Sequence, residues 1–498
     1  MNRLIGTALG TALLAIALAG CGGGSSGGGA GGGTQPGIDR LGVRAGTVTG
    51  FGSIFVGDDR FEVDNAEFEV DDDSSGSGQD DLNIGDTVIV TFDPATPGVA
   101  QTVFSDDAVE GPIDSIDLAG SRLVVAGQTV IVDALTSFDD SIPTASLAGL
   151  AVDDVVEVNG FFDAVGLDQD GQIRATRIEP RLPGGEIEVK GLVEALDTNA
   201  RTFSINSLDV DYGAVPADID DSFPNMTFVE GDFVEVKGRS FSADGELLAT
   251  KIEPDGPGVV DDGTFDNFDE VEAEIEGFIT RFVSVGDFDV SGFPVDASGA
   301  TFEGGVAGDL GLNVKVEVDG DVVAGVLIAT EVDIRRSNDL RVAALVDEVD
   351  AAGGTLVVLG ITVAVDGSTR REDKIDAELE PFGLAQLNVN DYVEVRGGAD
   401  ASGAADILAS ILERDDPPDV LGEETELRGF VDGIARPSFT IAGVTIATDG
   451  GTVFRDALEQ VISADAFFNA LRDGDLVDVD GTEMDGPIIV AEEVELED

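Results

Sequence analysis

Three short strand patterns recur along this chain in the same order, six times over, and that repetition restricts the fold more than any single residue does. The first pattern is Gly, any residue, then Val or Ile. It occurs at Gly46-Thr47-Val48, Gly111-Pro112-Ile113, Gly191-Leu192-Val193, Gly277-Phe278-Ile279 and Gly429-Phe430-Val431, with Ala344-Leu345-Val346 carrying Ala in the Gly position. The second is a turn followed by an alternating strand. It is clearest at Gly231-Asp232-Phe233-Val234-Glu235-Val236 and recurs from Gly85, Asp153, Asn390 and Gly474. The fourth copy loses the turn but keeps Val316-Glu317-Val318. The third pattern closes each unit with Ala, two variable residues and a hydrophobe: Ala100 to Val103, Ala175 to Ile178, Ala249 to Ile252, Ala329 to Val332, Ala409 to Leu412 and Ala491 to Val494.

Gly, Asn and Asp tolerate positive φ at the turn, and period-two alternation predicts one buried face and one wetted face. Between the first and second patterns lies a hairpin, as in Phe439 to Ile446. The segment Ala457 to Leu471 then places Ala464, Phe467, Phe468 and Leu471 at helical spacing and predicts a short helix. Three strands, a helical or looped connection and two more strands is the order of an OB-like barrel. The expected fold is therefore all-β, a tandem array of about six small OB-like five-stranded barrels. Each barrel is large enough for one core filled by side chains and too small for a wide pocket. Module boundaries fall at 41–108, 109–182, 187–254, 271–335, 340–414 and 425–498, with an acidic linker at 255–270. Six such modules end to end would reach on the order of 150 Å. The sequence leaves open whether they lie straight or fold back.

The three patterns together resemble the family known as domain of unknown function 5666, whose members repeat a Gly-x-Val opening, a Gly-Asp-x-Val-x-Val strand and an Ala-Thr-x-Ile closing strand. The resemblance spans nearly all of the chain after its first forty residues. It implies a small β-barrel per repeat and supplies no activity and no catalytic residue.

Residues 1–20 are set apart from the fold. Arg3 precedes an apolar run from Leu4 to Gly20, the length of a signal-peptide core and short for a membrane span. It ends in Leu18-Ala19-Gly20-Cys21, which resembles a bacterial lipobox. That resemblance implies cleavage between Gly20 and Cys21 and a diacylglyceryl group on the Cys21 thiol. Cys21 is the one cysteine of the chain, so no internal disulfide competes for it. Several acyl chains would make a stable anchor. Gly22, rather than the Asp associated with inner-membrane retention, favours the outer membrane, on its periplasmic or outer face. Residues 21–40 read as a Gly/Ser-rich tether, of which the stretch Gly22 to Gly33 spans roughly 20 Å.

Composition narrows the function. The chain has 100 Asp plus Glu against 27 Lys plus Arg, a net charge of −73. Loss of Arg3 with the signal segment makes it −73 − 1 = −74. Such a charge repels nucleic acid. Histidine is absent, which removes the commonest general base, the commonest zinc ligand and any Ser-His-Asp arrangement. An Asp follows the third strand of every unit: Asp64, Asp133, Asp211, Asp296, Asp366 and Asp449. One acid per unit cannot fill a calcium shell of six to eight oxygens, so a turn-stabilising role is expected. Leu167-Asp168-Gln169-Asp170-Gly171 fails as an EF-hand loop, because Gly166 and Arg177 would stand where Asp and Glu are required. The run Asp261, Asp262, Asp266, Asp269, Glu270 and Glu272 is the better place for weak Ca²⁺ binding. No spacing singles out a carboxylate pair for glycoside hydrolysis. The expected function is a non-enzymatic envelope lipoprotein presenting an acidic array for spacing or contact with an envelope or surface protein. A Ca²⁺-dependent binding or adhesion protein is the alternative. No catalytic residue, resident metal or cofactor is expected.

Overall fold

The computed structural model describes residues 42–496, except 58, 71–76, 119, 134, 163–171, 216, 221, 256–270, 336–339, 368, 376–380, 401–402, 416–424, 457–459 and 485. The signal segment, Cys21 with its tether, the loop 167–171 and the linker beyond Asp255 lie outside the described residues.

Module 2 shows the common plan. Its strands are Val109–Asp117, Arg122–Val125, Gln128–Ile131, Val155–Phe162 and Gln172–Pro180. The opening strand pairs antiparallel with the second, and the second with the third. The third runs parallel to the closing strand, which returns antiparallel to the fourth, and the fourth to the opening strand. The ring order is thus one, two, three, five, four, a closed OB-type barrel. Modules 4, 5 and 6 close the same way. In module 3 the opening strand is interrupted at Val193 between Ile187–Leu192 and Glu194–Asp197. In module 1 the contact of third and closing strands shrinks to one bridge, Glu62 to Val99.

The repeated patterns are the hydrogen bonds of this ring. The amide of the opening-pattern hydrophobe donates to the carbonyl at the second turn position, as in Val48 to Asp86 and Val431 to Asp475. The preceding turn residue donates back, Gly85 to Val48 and Gly474 to Val431. Gly85, Asp153, Gly231, Asn313, Asn390 and Gly474 all have positive φ, which accounts for Gly, Asn and Asp there. The turn Asp stabilises its own bend. Asp154, Asp232 and Asp391 each accept the amide three residues upstream, at 2.8, 2.7 and 2.9 Å. The closing Ala packs where the fourth strand bulges beside a glycine. At Gly397 an added Cβ would stand 2.2 Å from the Leu408 carbonyl oxygen, so only hydrogen fits.

The predicted helix exists only as Ala464–Ala470, capped by Ser463, with Phe467 and Phe468 buried. The strand Val461–Ile462 stands before it, and residues 457–459 of the expected span lie outside the described residues. A further short strand, not anticipated from the sequence, runs parallel to the closing strand in every module: Glu67–Val70, Ser137–Phe138, Asp218–Ile219, Thr301–Glu303, Arg370–Asp373 and Val453–Arg455. Two to four residues are too few to carry a period-two signal.

The modules do not lie in a straight row. Their opening strands pair two by two, merging barrels into three large sheets. Modules 2 and 3 pair antiparallel through Val109–Val189 and Glu110–Glu188. Modules 5 and 6 do so through Val342–Leu427. Module 1 instead pairs parallel with module 4, through Val43–Ala273, Arg44–Glu274 and Ala45–Ile275. The chain therefore folds back after module 3. Each pair also shares apolar packing, so Val109 and Val189 belong to one continuous core.

Candidate functional site: the charged seams between modules

The acid in the Val-acid-Val strand faces away from its own barrel. Alternation alone predicts that it meets water, but in modules 2 and 3 it does not: Glu157 is 5% exposed and Glu235 7% exposed. Strand register lines up Glu179, Glu157, Glu110, Glu188, Lys237 and Lys251 across the joined sheet of modules 2 and 3. The Nζ of Lys237 lies 2.8 Å from Glu188 Oε2 and 2.8 Å from Glu235 Oε1. Lys190 contacts Asp106 and lies 3.3 Å from Glu188 and 3.8 Å from Asp255. Burial pushes Asp106 up to about 6, and Glu188 and Glu235 each up to about 7. Burial alone would lower the two ammonium groups, but Asp106 beside Lys190 and Glu188 beside Lys237 outweigh it and raise both.

The other pairs have similar seams. Between modules 1 and 4, Arg44 lies 2.5 Å from Asp59 and 3.0 Å from Glu274. Burial, reinforced by a hydrogen bond with Glu317, pushes Glu274 up to about 10. Two residues along, burial would raise Glu276 as well. Lys315 at 2.5 Å and the Thr47 amide at 2.8 Å hold it down at about 2 instead. Between modules 5 and 6, Arg341 bridges Glu394 at 2.9 Å and Glu426 at 2.6 Å. Burial opposes the ionised form of Glu394, yet Arg396 and Arg341 bring it down to about 2.

A third kind of contact joins the pairs to one another. Arg370 of module 5 is buried in module 2, donating to the Thr176 carbonyl at 3.1 Å, to Ser137 Oγ at 3.3 Å and to the Leu135 carbonyl. Its partners are neutral oxygens, and burial brings it down to about 10. Asn159 links modules 1 and 2, accepting the Thr87 amide at 3.1 Å and donating to Asp107 at 3.0 Å. Phe161 and Phe278 meet edge to face between modules 2 and 4, 6.2 Å apart.

Among the described residues, two sets of carboxylates are close enough together to hold a metal ion: Asp106, Glu188 and Glu235, and Asp107, Glu110 and Glu157. In the first, two lysine ammonium groups already stand among the oxygens. In the second, Glu157 contacts Arg181, and the Asn159 amide reaches Asp107 and Glu157. Both sets read as internal ion pairs rather than cation shells.

The six loop acids come together nowhere. Asp133, Asp211, Asp296 and Asp449 each accept a backbone amide of their own loop, at 2.8, 2.7, 2.9 and 2.6 Å. Asp366 donates its own backbone amide to the Thr369 hydroxyl at 3.1 Å, and Asp64 is exposed. Three of these loops carry a latch that pattern reading missed. Thr136, Thr369 and Thr452, three residues after the Asp, donate to the carbonyl of the closing-pattern Ala at 2.9, 2.8 and 2.8 Å. The Asp-x-x-Thr spacing was the available signal. For the seams the signal was basic residues, scarce in this chain, placed in strands beside Val, as at Val189-Lys190 and Val236-Lys237. Cys21 and Gly20 lie outside the described residues, as do all residues of the acidic run but Glu272.

Comparison with known proteins places the repeats. The family model described as "Domain of unknown function (DUF5666)" matches residues 110–179, 190–253, 276–333, 344–410 and 428–495. No curated protein matches the chain. Among solved structures, "drosophila Unr CSD456" is 12% identical over 46% of this chain and 96% of that one. Its TM-score is 0.11, a likeness too low to bear on fold or function.

Proposed function

The chain belongs to the DUF5666 family, and from that premise we propose that it is a non-enzymatic lipoprotein of the cell envelope. It is held to the outer membrane through Cys21 and presents an acidic body for contact with another protein. The observation that carries this reading is the use made of the few basic residues. Arg44, Arg177, Lys190, Lys237 and Arg370 are buried in seams between modules, which leaves the outer surface richer in carboxylates than the composition implies. An acidic exterior steers and selects a partner with a cationic face. The fold-back of module 1 onto module 4 shortens the array, which supports contact over spacing.

The full chain is to be expressed in a lipoprotein-processing bacterium with labelled palmitate, beside a Cys21→Ser variant, and its envelope contacts captured by cross-linking. Label and membrane retention are expected in the wild type and lost in the variant. Captured contacts are expected to weaken severalfold between about 50 and 500 mM salt, where the Debye length drops below about 5 Å. Label in the variant would overturn the anchor. Contacts indifferent to salt would overturn the acidic-surface reading.

A further inference from the structure

Two of the connections between modules converge on one charged cluster. Asp106 lies between the closing strand of module 1, Ala100–Ser105, and the opening strand of module 2. Asp255 follows the closing strand of module 3, Leu247–Pro254, where the chain leaves for module 4. Both carboxyls reach Lys190, which also faces Glu188 of its own strand. Lys237 bridges Glu188 and Glu235. Across the paired strands, Glu110 stands beside Glu188, Glu253 beside Glu235 and Lys251 beside Lys237. Four carboxyls (Asp106, Glu188, Glu235, Asp255) therefore surround two ammonium groups, and Glu188, Lys190, Glu235 and Lys237 are all buried. Fully ionised, the set would place four carboxylates around two ammonium groups with little water about them, a state of high energy that protons on the carboxyls relieve. The lysines stand among the carboxyl oxygens where a cation would have to bind, so protons are the simpler counter-charge.

We propose that this cluster is a conformational latch: loaded with protons, it holds the two connections, and with them the pairing of module 1 with module 4, against the sheet of modules 2 and 3, and it loosens as the carboxyls ionise. Glu188 and Glu235 lie above their free range, up to about 7, so the folded state binds their protons more tightly than the opened state. The stabilisation is full at pH values below the ordinary glutamate range and is lost as pH rises through about 7.

Hydrogen exchange of the full chain in detergent and EDTA, corrected for intrinsic rates, tests this between pH 5 and 8. Protection at residues 100–108, 187–192, 43–45 and 273–275 is expected to fall together, by about tenfold or more per pH unit from pH 5 to about 7, and to level off by pH 8. In the Glu188→Gln/Glu235→Gln variant the same segments are expected to lose that dependence. Protection flat with pH in the wild type would overturn the latch, and that series stands even if the variant does not fold. An unchanged slope in the folded variant, or closure at pH 8 on adding Ca²⁺ alone, would overturn it too, the second in favour of a cation site.

Discussion

At the scale of single residues, this protein places charge where a small barrel protein usually places water. Arg370 is the sharpest case, a guanidinium buried in a neighbouring module and held by carbonyls and a hydroxyl. Its planar fork holds five N–H donors in fixed directions, against the three of a lysine ammonium, and spreads them over oxygens of separate strands. Removing it leaves the Leu135 and Thr176 carbonyls without those bonds, each worth roughly 1–3 kcal/mol when buried. Arg370→Ala is expected to destabilise the full chain by about 3 kcal/mol, with Arg370→Lys intermediate, in guanidinium unfolding monitored by circular dichroism. A loss under about 0.5 kcal/mol for Arg370→Ala, the range of ordinary surface substitutions, would show that the socket contributes little. No local pattern marks Arg370, because its partners are backbone oxygens of residues far away in sequence.

At the scale of the element, most of the barrel was legible. The opening Gly-x-Val, the Gly-Asp turn and the closing Ala each correspond to a specific hydrogen bond or close approach in the ring, and so they repeat. The short parallel strand after the third strand was not legible, since two to four residues show no periodicity, and the expected helix was too long because only Ser463 marks its start. The bulge glycine is a testable part of this plan. Gly397→Ala would push a methyl group onto the Leu408 carbonyl and is expected to lower stability by about 1–3 kcal/mol. The loss should be confined to the joined modules 5 and 6, read as early proteolysis of that pair. Module 1 is the natural contrast. Phe92 occupies its bulge, and the ring of Phe92 fills the space where a Cβ on Gly42 would stand. Uniform loss of protection across all modules in Gly397→Ala would contradict the local account.

At the scale of the whole molecule, opening strands join the six barrels into three pairs, and contacts such as those of Arg370, Asn159 and Phe161 join the pairs to one another. Solution scattering distinguishes this from a row. A compact chain of this length has a radius of gyration of about 23 Å, whereas a straight array of about 150 Å would give about 43 Å. With residues 1–40 removed, a value below about 30 Å is expected at pH 5 to 6. A value near 40 Å would overturn the fold-back.

The sequence by itself determined the repeat, the ring of five strands and the turn chemistry, because each depends on residues within one unit and on backbone geometry that Gly, Asp or Val specifies locally. Only the tertiary structure decided which modules pair. Modules 2 with 3 and 5 with 6 are neighbours in the chain, but the parallel pairing of modules 1 and 4 joins strands more than 200 residues apart (Val43 with Ala273: 273 − 43 = 230). Edge strands offer the same unpaired amides and carbonyls to any partner, so pairing is not encoded in the strand pattern itself. The fate of the acids followed from that choice. Glu157, Glu188 and Glu235 read as wetted positions along their own strands, and they became buried only once a second barrel joined the sheet and the connections from modules 1 and 3 reached Lys190.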